Sequence, residues 1–344
     1  MTNAISYGGY YSTGGSIVRD IFREFEPSIG FSTEFRLLKD PGGLFDLEDA
    51  LFKGFAPENI DKAIRDFIWL THNLARKSGR LRKSGMDYDI RTNNAFSIAT
   101  KNFIDEISDY HYPMSWHYLD FQKSYISQIS QRVIKKLFSR DVRKLEGDSL
   151  ATLAYPGQEK YFTAAKKYIM SILSGIQQAN GISDESVVGL HNAIPPFSVE
   201  LIEKGIKYFP SCKVIITDRD PRDVFVNYPK DSYGRYLPRS DDLISKAEGF
   251  VHFYKSIRVN QKAVALHHNV LFLRFEDVCL NYAEYYDKIL DFAGLDKSKH
   301  KNKGELFNPE KSINNIGMWR DASGELAQAV SFIEDKLPEY LYTS

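Results

Sequence analysis

Four glycines near the start of the chain, Gly8, Gly9, Gly14 and Gly15, are interleaved with hydroxyls at Tyr10, Tyr11, Ser12, Thr13 and Ser16. Glycine lets a backbone approach a ligand closely, and amide N–H groups gathered in such a loop bind anions. Before the loop, residues 4–9 read as a short strand. After it, Ile17, Val18, Ile21, Phe22 and Phe25 recur at helical spacing, which predicts a helix. A helix N-terminus adds its own preference for negative charge. Strand, glycine-rich turn and helix together predict a phosphate cradle. The spacing follows G-x-x-x-x-G-K-[ST] at Gly9, Gly14 and Ser16, but Gly15 stands where that pattern has its lysine. An ordinary ATPase or kinase is therefore disfavoured, whereas a phosphate ligand is not. A turn that merely joins strand to helix is the plain alternative.

A second group of chemically capable residues closes the apolar run Val214-Ile-Ile-Thr217: Asp218, Arg219 and Asp220, followed by Pro221. A planar guanidinium at a rigid strand end can grip a dianionic phosphate through two parallel hydrogen bonds. His191 ends a third apolar run, Val187-Val-Gly-Leu190. An imidazole is suited to take a proton near neutral pH. Two further histidines, His111 and His117, are six residues apart without a cysteine or carboxylate pattern, so no metal site is read from them.

The elements that must position these groups alternate. Strands are expected at residues 29–38, 185–192, 212–220 and 270–277, and helices after Pro195 and Pro221, over 241–266 and over 283–292. Between residues 40 and 180 the pattern is mostly helical, with helices expected over 60–77, 92–107, 119–137 and 158–178. Strands separated by helices predict a parallel sheet covered on both faces. Ligands of such sheets sit beyond the carboxyl ends of the strands, where the loop, His191, Asn192 and Asp218–Asp220 would meet. Within the helical region, residues 76–85 form a basic run with two glycines. Residues 110–118 are dense in aromatics and could stack on a flat ligand such as a sugar ring.

The chain has 344 residues, with 45 Lys+Arg against 45 Asp+Glu. The balance leaves no global basic field, so no nucleic-acid partner is expected, and any anion site must be local. Two cysteines, Cys212 and Cys279, are too few for a disulfide framework, which fits a reducing compartment. No signal peptide and no membrane-spanning run is read, so a cytoplasmic location is expected.

Four segments together resemble the sulfotransferase family. The strand, Ser12-Thr-Gly-Gly-Ser16 and the helix after it are similar to that family's 5′-phosphosulfate loop. Val214 to Asn227, through Arg219-Asp-Pro-Arg-Asp-Val224, resembles its 3′-phosphate motif. Leu271-Phe-Leu-Arg-Phe-Glu-Asp277 with Ile289-Leu-Asp-Phe-Ala-Gly-Leu295 resembles its late strand and helix, and Ile316-Gly-Met-Trp-Arg320 its C-terminal G-x-W-[KR] segment. The resemblance implies a P-loop NTPase-like sulfotransferase fold in a single domain, 1–344. Its donor-binding α/β core would be 1–38 and 185–320, and 40–180 would be a helical insert that binds the acceptor.

It also implies 3′-phosphoadenosine 5′-phosphosulfate as co-substrate, no metal, and an acceptor hydroxyl or amine. A long, aromatic, locally basic insert suits a glycan or glycolipid precursor better than a small phenol. The cofactor-binding residues implied are Ser12, Thr13, Gly14, Gly15, Ser16, Arg219, Asn227, Gly317, Trp319 and Arg320. His191 is the implied base, with Glu34 and Asp218 as substitutes. Two departures stand out. Ser12 replaces the lysine that many relatives carry in the loop, and Ile17 replaces an aromatic residue. Either Lys213, Lys230, Arg320 or the basic run supplies the missing cation, or catalysis is weak. A P-loop kinase or NTPase, and a binding protein without catalytic activity on the same fold, remain open readings.

Overall fold

In the computed structural model of the protein, which describes residues 4–54, 56–79, 85–113, 116, 129, 150–183, 186–227 and 242–343, five strands form one sheet. They are β1 (Ala4–Gly9), β2 (Gly30–Glu34), β5 (Val188–His191), β6 (Cys212–Asp218) and β7 (Val270–Arg274). The order is β2-β5-β1-β6-β7 and every neighbouring pair is parallel. Two further strands, β3 (Tyr110–Pro113) and β4 (Leu150–Leu153), make a separate antiparallel ribbon. The expected α/β class, a parallel sheet flanked by helices, is the one observed.

Both faces of the inner strands are buried, so β5 and most of β6 read as apolar runs, as parallel strands covered on both sides do, whereas the edge strand β2 turns polar from Ser32 on. Ala4, Val188, Leu190, Val214 and Ile216 point to one face; Ile5, Tyr7, Ile215 and Leu273 point to the other. On the second face lie α1 (Ser16–Arg23), whose Ile17, Val18, Ile21 and Phe22 are buried, and two later helices. On the first lies the helical region: α2 (Leu44–Phe52), α3 (Pro57–Ala75), α4 (Ala95–Ile107) and α5 (Gln158–Asn180). Proline opens α3 where its missing N–H costs nothing, and Gly181 closes α5 in the left-handed region at φ 67°, as helix ends commonly do. Between them Phe103 stacks on Tyr168 with ring centroids 5.0 Å apart.

The longer of the other helices are α6 (Val199–Ile206), α7 (Pro221–Asn227), α8 (Leu243–Ser256), α9 (Phe275–Leu280), α10 (Tyr282–Ala293) and α11 (Glu325–Lys336). Helices α9 and α10 share the face of α1, while α7, α8 and α11 form a smaller cluster around Phe225, Phe250 and Ile333. No helix among the described residues is long and apolar enough to cross a membrane.

Two expectations need correction. The strand expected over 29–38 stops at Glu34, and the chain then turns, with the Leu44 N–H bonded to the Leu37 carbonyl at 3.0 Å. The helix expected over 241–266 is two helices, α8 and a short one over Gln261–Ala265. The Arg258 N–H reaches the Lys255 carbonyl three residues back, which tightens the turn between them. The helix expected over 119–137 lies outside the described residues, apart from residue 129.

Candidate functional site

Parallel strands deliver their carboxyl ends to one edge. Register aligns Tyr7 with His191, Glu34 with His191, Gly9 with Thr217 and Asp218 with Arg274. From β1 the chain runs to β2 on one side; from β5 it crosses β1 to β6 on the other. The loop after β1 therefore occupies the switch point, where ligands of open α/β sheets bind.

That loop is tied to β6. The Thr13 hydroxyl donates to the Thr217 carbonyl at 2.6 Å and accepts the Tyr10 N–H at 3.0 Å. Thr13 is thus buried and its hydroxyl engaged, so it shapes the loop instead of facing a phosphate as the sequence suggested. Gly9 has no room for a side chain: a Cβ there would lie 2.2 Å from Thr13 Oγ1 and 2.3 Å from the Thr217 oxygen. Tyr11, Ser12 and Gly14 take positive φ, 60°, 53° and 87°. Gly15 caps α1 without a side-chain bond, so no cap side chain competes for the first N–H groups of that helix. Ser16, its first residue, is exposed. Gly14, Gly15 and Ser16 are together where an anion would meet both the loop and the helix end.

His191 and Glu34 are brought together at the next strand ends. The imidazole stacks on Tyr7, with centroids 5.5 Å apart and planes at 21°. It has no hydrogen-bond partner among the described residues. Burial pushes its pKa below 6.5, opposed in part by the Glu34 charge. The Glu34 carboxylate accepts from Asn192 Nδ2 at 2.6 Å, with the Arg36 guanidinium 3.9 Å away. Asn192 is at this edge, as the strand pattern predicts. It takes φ 54° and donates its N–H to Tyr7 at 2.7 Å. Its amide occupies the space that a Cβ on Gly8 would need, 2.1 Å from Oδ1.

Asp218 is the last residue of β6, and Arg219 follows the strand end. Asp218 turns into the protein. One oxygen accepts from Arg258 at 2.7 Å, the other from Gln261 at 2.6 Å, and Arg274 lies 3.6 Å away. It is 0% exposed. As a base it is excluded, because two buried donors and a second guanidinium already claim its lone pairs. Arg258 and Arg274 are the residues that sequence reasoning missed.

Arg219 lies over the Phe275 ring, 4.7 Å from its centroid. One Nη donates to the Asn315 carbonyl and lies 3.8 Å from the Met318 sulfur. Its Nε is buried with no partner among the described residues. The residue is 4% exposed, and burial lowers its pKa against the pull of Asp223 and Glu276.

The rest of the motif holds the C-terminal segment against this guanidinium. Asp223 accepts the Gly317 N–H at 2.7 Å and the Trp319 N–H at 3.3 Å. Arg222 pairs with Asp220 at 2.7 Å and stacks on Trp319 at 3.8 Å. Asp220 in turn accepts the Tyr342 N–H at 2.9 Å. Gly317 takes φ 74°, and Arg320 is exposed above Trp319, 5.4 Å from its ring. Asp223→Ala should therefore free this segment: two N–H groups lose their acceptor, at ~1.5–3 kcal/mol for a bond to a charged group. Limited proteolysis should cut within 313–321 faster in the variant, and an unchanged cleavage rate would refute the tether.

Asn227 is half-buried at the end of α7. Lys213 cannot replace the loop lysine. It lies at the far end of β6, bonded to the Phe292 carbonyl at 2.8 Å, about 17 Å from Asp218 by the rise of a strand. Lys230, His117 and residues 80–84 of the basic run lie outside the described residues. His111 bonds Thr152 at 3.1 Å in the ribbon. Among the described residues no three His, Cys, Asp or Glu are grouped to hold a metal ion.

No family model and no curated protein matches this chain. Solved structures do. The chain is similar to the sulfotransferase domain of the Synechococcus PCC 7002 olefin synthase, at 10% identity over 96% of this chain and 93% of that one, with a TM-score of 0.40. It is similar to the sulfotransferase domain from the curacin biosynthetic pathway, at 11% identity over 99% of both chains, with a TM-score of 0.47. It is also similar to sulfotransferase STF1 from Mycobacterium tuberculosis H37Rv, at 8% identity over 98% of this chain and 77% of that one, with a TM-score of 0.37.

Proposed function

We propose that the protein transfers a sulfuryl group from 3′-phosphoadenosine 5′-phosphosulfate to an acceptor hydroxyl or amine. One observation carries the reading. Two anion-binding elements, the glycine loop after β1 and the guanidinium after β6, stand on hydrogen-bonded neighbouring strands and are tied by the Thr13–Thr217 bond. A nucleotide phosphorylated at both its 5′ and 3′ positions has that pattern of charge. The amides of Gly14, Gly15 and Ser16 would take the 5′ group. The orphaned Nε of Arg219 fits the 3′-phosphate, since a buried donor without a partner costs ~1–3 kcal/mol until a ligand supplies one. Asn227 and Arg320 are candidates for further contacts, with Gly317 and Trp319 carrying the chain over the site.

In the reaction, the acceptor oxygen loses its proton to His191 as it attacks sulfur. The bond from sulfur to the bridging phosphate oxygen breaks, and 3′-phosphoadenosine 5′-phosphate leaves. Glu34, opposite His191, would favour the protonated ring that results, or serve as the base itself. Loop amides would balance the charge gathering on the leaving phosphate. The insert would choose the acceptor, a glycan or glycolipid precursor being our choice, and the protein would work in the cytoplasm.

A kinase or NTPase reading needs Asp218 for Mg²⁺, and its ion pair with Arg258 argues against that. Binding without turnover has two features in its favour, the Asn315 carbonyl on Arg219 and Ser12 in place of lysine.

The test is a thermal shift with 3′-phosphoadenosine 5′-phosphate, ATP–Mg²⁺ and AMP, in wild type and Arg219→Ala. A hundredfold excess of ligand over Kd stabilises the fold by ~2.7 kcal/mol. The expected result is a rise in Tm with the 3′-phosphorylated nucleotide that Arg219→Ala abolishes. A rise with ATP–Mg²⁺ alone would overturn the reading in favour of the kinase class.

A further inference from the structure

Arg258, in the turn after α8, is among the largest fully buried side chains of the protein. No step of the proposed reaction uses it. Its guanidinium donates from Nη1 to the Tyr254 carbonyl at 3.4 Å, and three further contacts each lead to an anion-binding element. Nη2 donates to Asp218 at 2.7 Å, the residue immediately before Arg219. One face lies 3.4 Å from the ring centroid of Tyr254, whose hydroxyl donates to the Arg219 carbonyl at 3.1 Å. The guanidinium also lies 4.6 Å from the ring centroid of Tyr10, the first residue of the glycine loop. Tyr10 is itself fixed, its N–H on Thr13 and its hydroxyl on the Pro196 carbonyl at 2.9 Å. A single cation thus bridges the two strand ends from behind the sheet edge.

Stability alone does not account for such a group. Desolvating a buried ion pair offsets most of its Coulomb gain, and a packed apolar pair is often as stable. A flat guanidinium between two rings, with one edge on a carboxylate, does fix geometry, because it is rigid and directional where an ammonium is not. We propose that Arg258 is a positioning residue: it sets the separation between the glycine loop and Arg219, and so makes the site select a nucleotide phosphorylated at both ends. The inference rests on the donor reading above.

The test is a ratio, measured by calorimetry at fixed salt: the Kd of AMP over that of 3′-phosphoadenosine 5′-phosphate. Two variants are compared with wild type, Arg258→Lys and the double variant Asp218→Asn with Arg258→Met. The double variant removes both charges, so no lone buried carboxylate is left to unfold the protein. Wild type should prefer the 3′-phosphorylated nucleotide by about tenfold or more, the worth of one or more charge-assisted hydrogen bonds. Both variants, folded by circular dichroism, should shrink that preference to about threefold or less. A purely structural Arg258 would lower Tm and leave the ratio at its wild-type value, and that result overturns the proposal while the donor reading stands. A wild type without any preference would sink the donor reading and this proposal with it.

Discussion

His191→Asn is expected to lower kcat by ~10²–10⁴, the usual worth of a positioned general base, while the affinity for 3′-phosphoadenosine 5′-phosphate stays close to wild type. The pH dependence of kcat gives the same assignment a second reading. Burial on Tyr7 holds the imidazole pKa below its ordinary 6.5. The ring is then neutral and able to accept a proton at pH 7, and kcat should fall only on the acid side, below pH 6.5. The same depression acts on stability. The unfolded chain binds a proton to this histidine more readily than the folded one, so folding gains as pH rises. The gain is complete above pH 6.5 and is lost as pH falls through the folded value. Urea unfolding at several pH values should show that slope in wild type and a shallower one in His191→Asn. An unaltered kcat in the variant would move the role of base to Glu34.

Gly9→Ala should cost both the fold and the ligand. The new methyl would meet the Thr217 backbone oxygen at 2.3 Å and Thr13 Oγ1 at 2.2 Å. A side chain can rotate away, but a strand carbonyl inside a parallel sheet cannot. Overpacking of this kind costs ~1–3 kcal/mol, and breaking the buried Thr13–Thr217 bond adds ~1–3 kcal/mol. Gly157→Ala is the matched control, since nothing lies within 4 Å of its Cβ position. Chemical denaturation should separate the two variants by several kcal/mol, and only Gly9→Ala should abolish the thermal shift with the 3′-phosphorylated nucleotide. Equal stabilities would mean that the loop is not braced against β6.

The parallel sheet was legible because its strands are short apolar runs that end in glycine, histidine or charge. Residues 4–9, 212–218 and 270–274 all declare themselves in this way. The meeting of the loop, His191 and Arg219 at one edge followed from the strand directions alone. What lay hidden depends on partners remote in sequence. Asp218 reads equally well as a base or as half of an ion pair until Arg258, forty residues on, is seen against it. Thr13 looks like a phosphate ligand until its hydroxyl is found on Thr217. The break between α8 and the next helix was illegible because Ile257 and Val259 continue an apolar pattern through the turn. The C-terminal contact with Arg219 was half legible: Gly317 and Trp319 marked the segment, but a backbone carbonyl from Asn315 carries no signature in a sequence.

The placement of β1 in the middle of the sheet has a consequence for how the protein is made. The strand over residues 4–9 leaves the ribosome well before its neighbours, residues 188–191 and 212–217. At ~5–20 residues per second, translation takes roughly 10–40 s to deliver the first of them. During that time Ile5 and Tyr7 have no sheet to enter, and the glycine loop has no Thr217 to hold it. Newly synthesised chains should depend on chaperones until residue 217 has emerged, and the glycine loop would acquire its shape long after its own residues are made.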